Sequence, residues 1–500
     1  MKYTHILKDL IDNFYITTYP KDFTLESNTF GYDKVIEGDA QIVCGRGRVL
    51  KDEWLNPDFY KFGPNHIQTD KTFHRKDVVD FLKGYKRLNT GSFQNAMKSN
   101  KKVIMEMEMH GVSEHPNSYS LFRINFFDKL FRNKEVLRKM QEGKFFIFLY
   151  FGWEADDFRK DEKPADKYRN WYEMFRSVLI DYKLPTNSVI IAQSNLLGYE
   201  NEKKYDFKGV KPNVIFDNVT EFQPFKSVAR NDKLNIDYPI EEHFKNLRKS
   251  KHTLLRVHRT WHPYRDNMLY YLYKKNYIKD SLVQHRVFEK EGIPEAHNFF
   301  DYRGRVEDLS EKSKDVVLTH HNIIKQISKD IPIKSSEYEK SLVIGSNDHI
   351  VYNKGEHHIS NEPIDNSVYE DSLFSWVNPS LPDKKNYIFI NQSTFSPVLH
   401  YHPILWFGHT HLIKHFKKYG YKSFDWLFDE SYDELTSDLD KFKANAKQID
   451  KVMNMDKDYL IDLMWDNRDT LQHNRDLFIE CKSIERIITK LHGIINETTI

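Results

Sequence analysis

The chain has 500 residues, 39% of them apolar or aromatic, enough to build two or three domains with real cores. Its 75 Lys and Arg nearly balance its 73 Asp and Glu, for a formal net charge of +2. That balance excludes nucleic-acid binding by bulk electrostatics, though not through a local basic groove. Only Cys44 and Cys481 occur, so a disulfide framework is excluded and the usage fits a reducing compartment. The opening MKYTHILKDLIDNFY has no signal-peptide core, and no apolar run reaches the length of a membrane span. The sequence therefore predicts a soluble, cytoplasmic protein.

Residues 1–100 carry loop signals at Pro20, Gly31, Gly38, Gly45, Gly47 and Pro57, and are expected to form an irregular region packed on the first domain. Lys102–Met109 alternates apolar and charged residues, as a half-buried strand does, and Arg132–Gln141 reads as a short charged helix. Lys144–Phe151 (KFFIFLYF) is a buried strand, Asp166–Tyr182 has helical spacing, and Ser188–Gln193 and Asn213–Asp217 are short strands. The polar stretch Asn231–Lys251, broken by Pro239, reads as a linker. A second series follows, with strands at Thr253–Val257, Ser281–Val287, within Glu337–Tyr352, at Leu373–Val377 and at Tyr387–Ile390. Helix patterns begin at Asp266 and at Leu412, the second stopped by Gly420, and Tyr459–Leu491 is strongly helical. Strands alternating with helices predict an α/β protein with two doubly wound domains facing a cleft. The expected divisions are 1–100, a first α/β domain at 101–245, a second at 246–458 and a helical tail at 459–500.

Three clusters could carry chemistry. Arg256, His258, Arg259, His262 and Arg265 crowd one strand-to-helix loop, where guanidinium forks and helix N–H groups suit a diphosphate; a solvated basic loop would look the same. Gln392, Ser393 and Thr394 lie in a polar loop, Asn391–Ser396, and could bind sugar hydroxyls or simply start a helix. Glu154 and Asp156 follow a buried strand, where partial burial favours a general base; acidic residues are also ordinary at a helix start. Glu106, Glu108 and His110 compete for that role. His400, His402, His409, His411 and His415 cluster, but without HExxH or a paired cysteine no metal site is expected. Phosphate-loop, dinucleotide-fingerprint and nucleophile-elbow motifs do not occur.

On three of these segments the chain resembles glycosyltransferase-like proteins of marine phages and bacteria. Their C-terminal half is similar to the nucleotide-sugar domain of fucosyltransferase-type and exostosin-type enzymes. The likeness lies in the Arg-rich strand-loop-helix Arg256–Lys275 followed by LVQHR, in the order of strand, polar loop, Pro, His-Pro and DESYD across Phe374–Leu435, and in His473-Asn474-Arg475. It is weaker in GWEAD and LPTNSVIIAQSN, and it does not cover residues 1–100. The resemblance implies a GT-B architecture of two Rossmann-like domains. It implies no cofactor beyond a nucleoside diphosphate sugar as co-substrate, and no metal. Arg256, Arg259 and Arg265 would hold the leaving diphosphate; Gln392, Ser393 and Thr394 would hold the donor; Glu154, or else Asp156, would be the base. Acceptor partners would be a glycan or a hydroxymethylated base in phage DNA. The oligomeric state is open. The family's loop carries Glu then Lys where this chain has Gln392 and Ser393, and a further Glu near Asn378. A non-catalytic binding or virion-associated relative is therefore the alternative expectation.

Overall fold

The computed structural model describes residues 3–18, 34–37, 40–46, 89–90, 93–112, 118–151, 167–218, 238–258, 263–286, 333–336, 341–344, 369–378, 388–390, 392–480 and 482–497. The protein is α/β, and the chain divides into two compact units. The first comprises Met1–Arg230, Lys385–Ile390 and Glu480–Ile500; the second comprises Asn231–Lys384 and Asn391–Ile479. Neither unit is continuous in sequence, and the helical tail expected as one piece is shared between them.

The first unit is built on a sheet whose parallel strands, in spatial order, are β4 (Asn89–Thr90), β1 (Phe14–Thr18), β5 (Lys102–Val112), β6 (Phe145–Phe151), β7 (Val189–Gln193) and β8 (Asn213–Phe216). β5 outruns β1, and its far end pairs instead with an antiparallel ribbon of β2 (Lys34–Glu37) and β3 (Ala40–Arg46). Of the loop signals in the opening segment only Gly45 lies among the described residues, within β3; Pro20, Gly31, Gly38, Gly47 and Pro57 lie outside them. After the helix Tyr3–Asn13, β1 enters the sheet between β4 and β5.

The apolar run of β6 is continuous because both of its faces are covered: Phe145 to Leu149 are all buried. Asn170 caps the covering helix Trp171–Asp181 by accepting from Glu173 N at 3.0 Å. Trp171 and Phe175 of that helix stack at 5.4 Å inside a core shared with Phe122, Phe126 and Phe127. Helix Lys482–Asn496 is clasped to this unit. Arg486 donates to both oxygens of buried Asp217, Lys490 pairs with the same carboxylate at 3.1 Å, and His492 Nε2 meets Asp9 at 2.7 Å.

The second unit has a six-stranded sheet in the order β11 (Ile333–Ser336), β12 (Ser341–Ile344), β10 (Ser281–Arg286), β9 (Leu254–His258), β13 (Phe374–Val377) and β14 (Ile404–Trp406). β10, β9, β13 and β14 are parallel, and β11–β12 is an antiparallel edge ribbon. From β9 the chain first goes to β10 on one side and later returns to β13 on the other. The strand order therefore reverses at the β9/β13 boundary, the position where α/β sheets open a crevice at their carboxyl ends.

Three expectations are corrected. The polar stretch around Pro239 contains a helix, Ile240–Leu247, with Ile240, His243, Phe244 and Leu247 buried at helical spacing. Residues 388–390 are not a strand; Ile388 O accepts one bond from Leu196 N. The polar loop after them is already helical, Gln392–Leu399, with Pro397 inside it. No helix among the described residues is long and apolar enough to cross a membrane.

Candidate functional site

Helix Pro263–Lys274 follows β9, and helix Asp438–Met453 lies beside it. The two run in the same direction. Tyr264 Oη donates to Asp438 Oδ2 at 3.3 Å, Tyr271 Oη to Ala446 O at 3.4 Å, and Lys275 Nζ meets Asp450 at 3.2 Å. Both cover one face of the sheet. Tyr264 and Phe442 pack on Phe407, and Trp376 Nε1 donates to Asn445 Oδ1 at 3.1 Å.

Register fixes what meets at the carboxyl edge. Asn378 directly follows β13, two residues after Trp376, so continued alternation puts its side chain on the same face. Lys441 and Asn445 are four apart on a helix, so they also share a face, with Lys441 nearer the N-terminus. Stepping from the Trp376–Asn445 contact to the strand's carboxyl end brings Asn378 level with the first turn that holds Lys441. Lys441 is 2% exposed, and its ammonium donates to Gly408 O at 3.0 Å and Thr410 Oγ1 at 2.8 Å in the loop after β14. Arg265, in the first turn of the other helix and 3% exposed, donates from Nη2 to Asn378 O at 2.5 Å. Asn378 is fully buried, and among the described residues neither its Oδ1 nor its Nδ2 has a hydrogen-bond partner.

Two helix N-termini, each carrying about half a positive charge, and two buried cations thus converge on one end of the sheet. Carboxylates share this end: Asp438 and Asp440 stand in the first turn of helix Asp438–Met453, and buried Asp433 feels the charge of Lys441, so part of the positive charge is answered within the protein. Nearby, buried Asp433 caps helix Leu412–Lys418, accepting from Ile413 N and Lys414 N at 3.1 Å each. Burial raises its pKa, and those two backbone bonds oppose the shift.

The sequence candidates are distributed unevenly. Glu154, Asp156 and Arg259 lie outside the described residues, as does His262. Arg256 is on β9 and Arg265 in the helix that follows it. Gln392 and Ser393 open the helix in which Thr394 is buried. That helix covers the other face. Phe395 packs on Tyr421, Tyr421 on Phe416, and Phe416 on Trp406, the residue before Phe407. The expected donor-binding set is therefore split, with Arg265 over one face and Gln392, Ser393 and Thr394 over the other.

The histidines are split as well. His400 and His402 precede β14, while His409 and His411 follow it. His402 sits between Ser375 Oγ and Ser372 O at 2.7 Å each, and burial pushes its pKa down to about 3. His400 stacks on Tyr369 at 4.2 Å. Among the described residues no group of three or more His, Cys, Asp or Glu is arranged to hold a metal ion.

Lys441 escaped the sequence reading, although a signal was present. Lys441, Asn445, Gln448, Ile449 and Val452 form one inward stripe of their helix. No protein-family model matches the chain, and no curated protein matches it either. The resemblance to glycosyltransferases rests on the motifs quoted above.

Proposed function

We propose that the protein is a nucleotide-sugar-dependent glycosyltransferase of the two-domain GT-B type, acting in the cytoplasm, the host's if the chain is viral. The observation that carries this reading is the pair of helix N-termini, with buried Arg265 and Lys441, at the carboxyl end of a parallel sheet where its strand order reverses. A diphosphate is the ligand such an end suits. In this reading Arg256, Arg259 and Arg265, with Lys441, stabilise the leaving diphosphate. Gln392, Ser393 and Thr394 hold the donor from the opposite face. The acceptor oxygen attacks the anomeric carbon as the bond to the diphosphate breaks. Glu154, or Asp156 in its place, takes the acceptor proton if the anomeric centre inverts. The acceptor is a glycan hydroxyl or a hydroxymethylated base in DNA.

The test is a thermal-shift and turnover panel of UDP- and GDP-sugars. A rise in Tm with at least one donor, and its consumption with acceptor or water, is expected. A panel that neither shifts Tm nor is consumed sinks the reading. Gln392 and Ser393, standing where the family has Glu and Lys, favour a second reading: a binding protein that retains the donor site without transfer. It predicts the thermal shift with no consumption.

A further inference from the structure

We propose that the side chain of Asn378 is the ligand-reading group of the carboxyl-edge niche, and that it reads a pair of neighbouring sugar hydroxyls beside the phosphates. The proposal rests on the nucleotide-sugar reading and narrows it to one residue and one kind of contact.

Both ends of a fully buried amide, its Oδ1 acceptor and its Nδ2 donor, lack a hydrogen-bond partner among the described residues. Each such atom costs about 1–3 kcal/mol relative to a satisfied one, so leaving both open burdens the unliganded protein. The backbone of the same residue is tied down. Asn378 O accepts from Arg265, and the preceding carbonyl, Val377 O, accepts from Phe407 N at 2.8 Å. The amide is therefore anchored on a fixed strand end beside the first turns of two helices.

The chemistry of the missing partner follows from the two open atoms. A phosphate offers acceptors only and would answer Nδ2 alone. An ammonium offers donors only and would answer Oδ1 alone. A vicinal diol supplies both, since each hydroxyl donates and accepts. Ribose and hexose both carry one, and either could lie next to a diphosphate held by Arg265, Lys441 and the helix ends.

The experiment is titration calorimetry of the full chain with inorganic pyrophosphate, UDP and UDP-glucose, for the wild type, Asn378→Leu and Asn378→Ala. The expected result has three parts. Pyrophosphate affinity is unchanged in both variants, affinity for a diol-bearing ligand falls tenfold or more, and the unliganded Tm is unchanged or raised. A loss already present with UDP assigns the ribose; a loss confined to UDP-glucose assigns the transferred sugar. Equal affinity of wild type and variants for UDP and UDP-glucose overturns the proposal while leaving the phosphate site standing. A Tm lower by several degrees in both variants shows that the amide holds the fold, and overturns it too. Wild-type protein that binds no pyrophosphate removes the niche itself, and the role of Asn378 falls with it.

Discussion

The two ends of the second sheet bury polar groups differently. At the amino end burial holds the imidazoles of His243 and His402 neutral, and the buried cation beside them, Arg475, donates to Tyr238 O at 3.0 Å and lies 4.5 Å from the centre of the Tyr401 ring. His402 has both ring nitrogens matched, and His400 Nδ1 is bonded to Ser396 O at 2.7 Å. At the carboxyl end the buried groups are the cations Arg265 and Lys441, together with the amide of Asn378. Both ends therefore bury charge, and His243 Nε2 lacks a partner among the described residues; what sets the carboxyl end apart is one amide with both of its polar atoms unpartnered among those residues. Natural proteins tolerate such local costs where they bind or react.

The largest effect that would sharpen this contrast is acid sensitivity at the amino end. Burial lowers the pKa of His402 from about 6.5 to about 3, and that of His243 well below its ordinary value. The unfolded chain takes up these protons first. Stability is therefore intact above about pH 6.5 and falls as pH drops toward 3. The His402 contribution lost over that window is up to about 5 kcal/mol. Urea unfolding at pH 7 and pH 4.5 checks this, with His402→Gln expected to flatten the dependence. A wild-type midpoint identical at the two pH values would break the comparison at this end.

Lys441→Met addresses the opposite end. Pyrophosphate affinity should fall about tenfold, or about 1.4 kcal/mol. The urea midpoint should fall modestly, because Gly408 O and Thr410 Oγ1 lose their donor and Asp433 loses a nearby positive charge, against which stands the relief of burying the ammonium. A large fall in stability with affinity preserved would place Lys441 with the structural groups. The smallest effect expected is that of Thr410→Val, which removes one acceptor from that ammonium at about 1 kcal/mol. Its signature is a two- to fivefold loss of pyrophosphate affinity, again measured by calorimetry.

The core strands were legible wherever both faces are covered. KFFIFLYF and SVIIAQ could be little else, and β9, β10 and β13 follow from short apolar runs between polar turns. The failures came where local chemistry and tertiary context disagree. Pro239 looked like a linker break, yet proline directly before a helix start is ordinary, and the four buried residues after it decide the matter. Ser393 and Thr394 favour caps and turns, yet with Gln392 they stand in the first turn of a helix, the alternative to a ligand loop that their residue types had left open. The site was half readable. Arg265 could be placed near a helix start, but its burial against Asn378 O depends on β13, more than a hundred residues later. Lys441 and Asn378 reach one level only through the Trp376–Asn445 register, which no local pattern contains.

The discontinuity of the first unit has a consequence for the protein's birth. Its sheet is encoded before Arg230, but the helix that supplies Arg486 and Lys490 to Asp217 comes only after Glu480. At about 5–20 residues per second, the roughly 250 intervening residues keep the ribosome occupied for about 12–50 seconds. Throughout that interval Asp217 lacks both of its cations, and the strand ends that the helix will cover are exposed to water and to neighbouring nascent chains. The second unit, apart from the short excursion at Lys385–Ile390, leaves the exit tunnel as nearly one stretch. Translation therefore inverts the order of the chain: the half that is made first is the half that can finish only last.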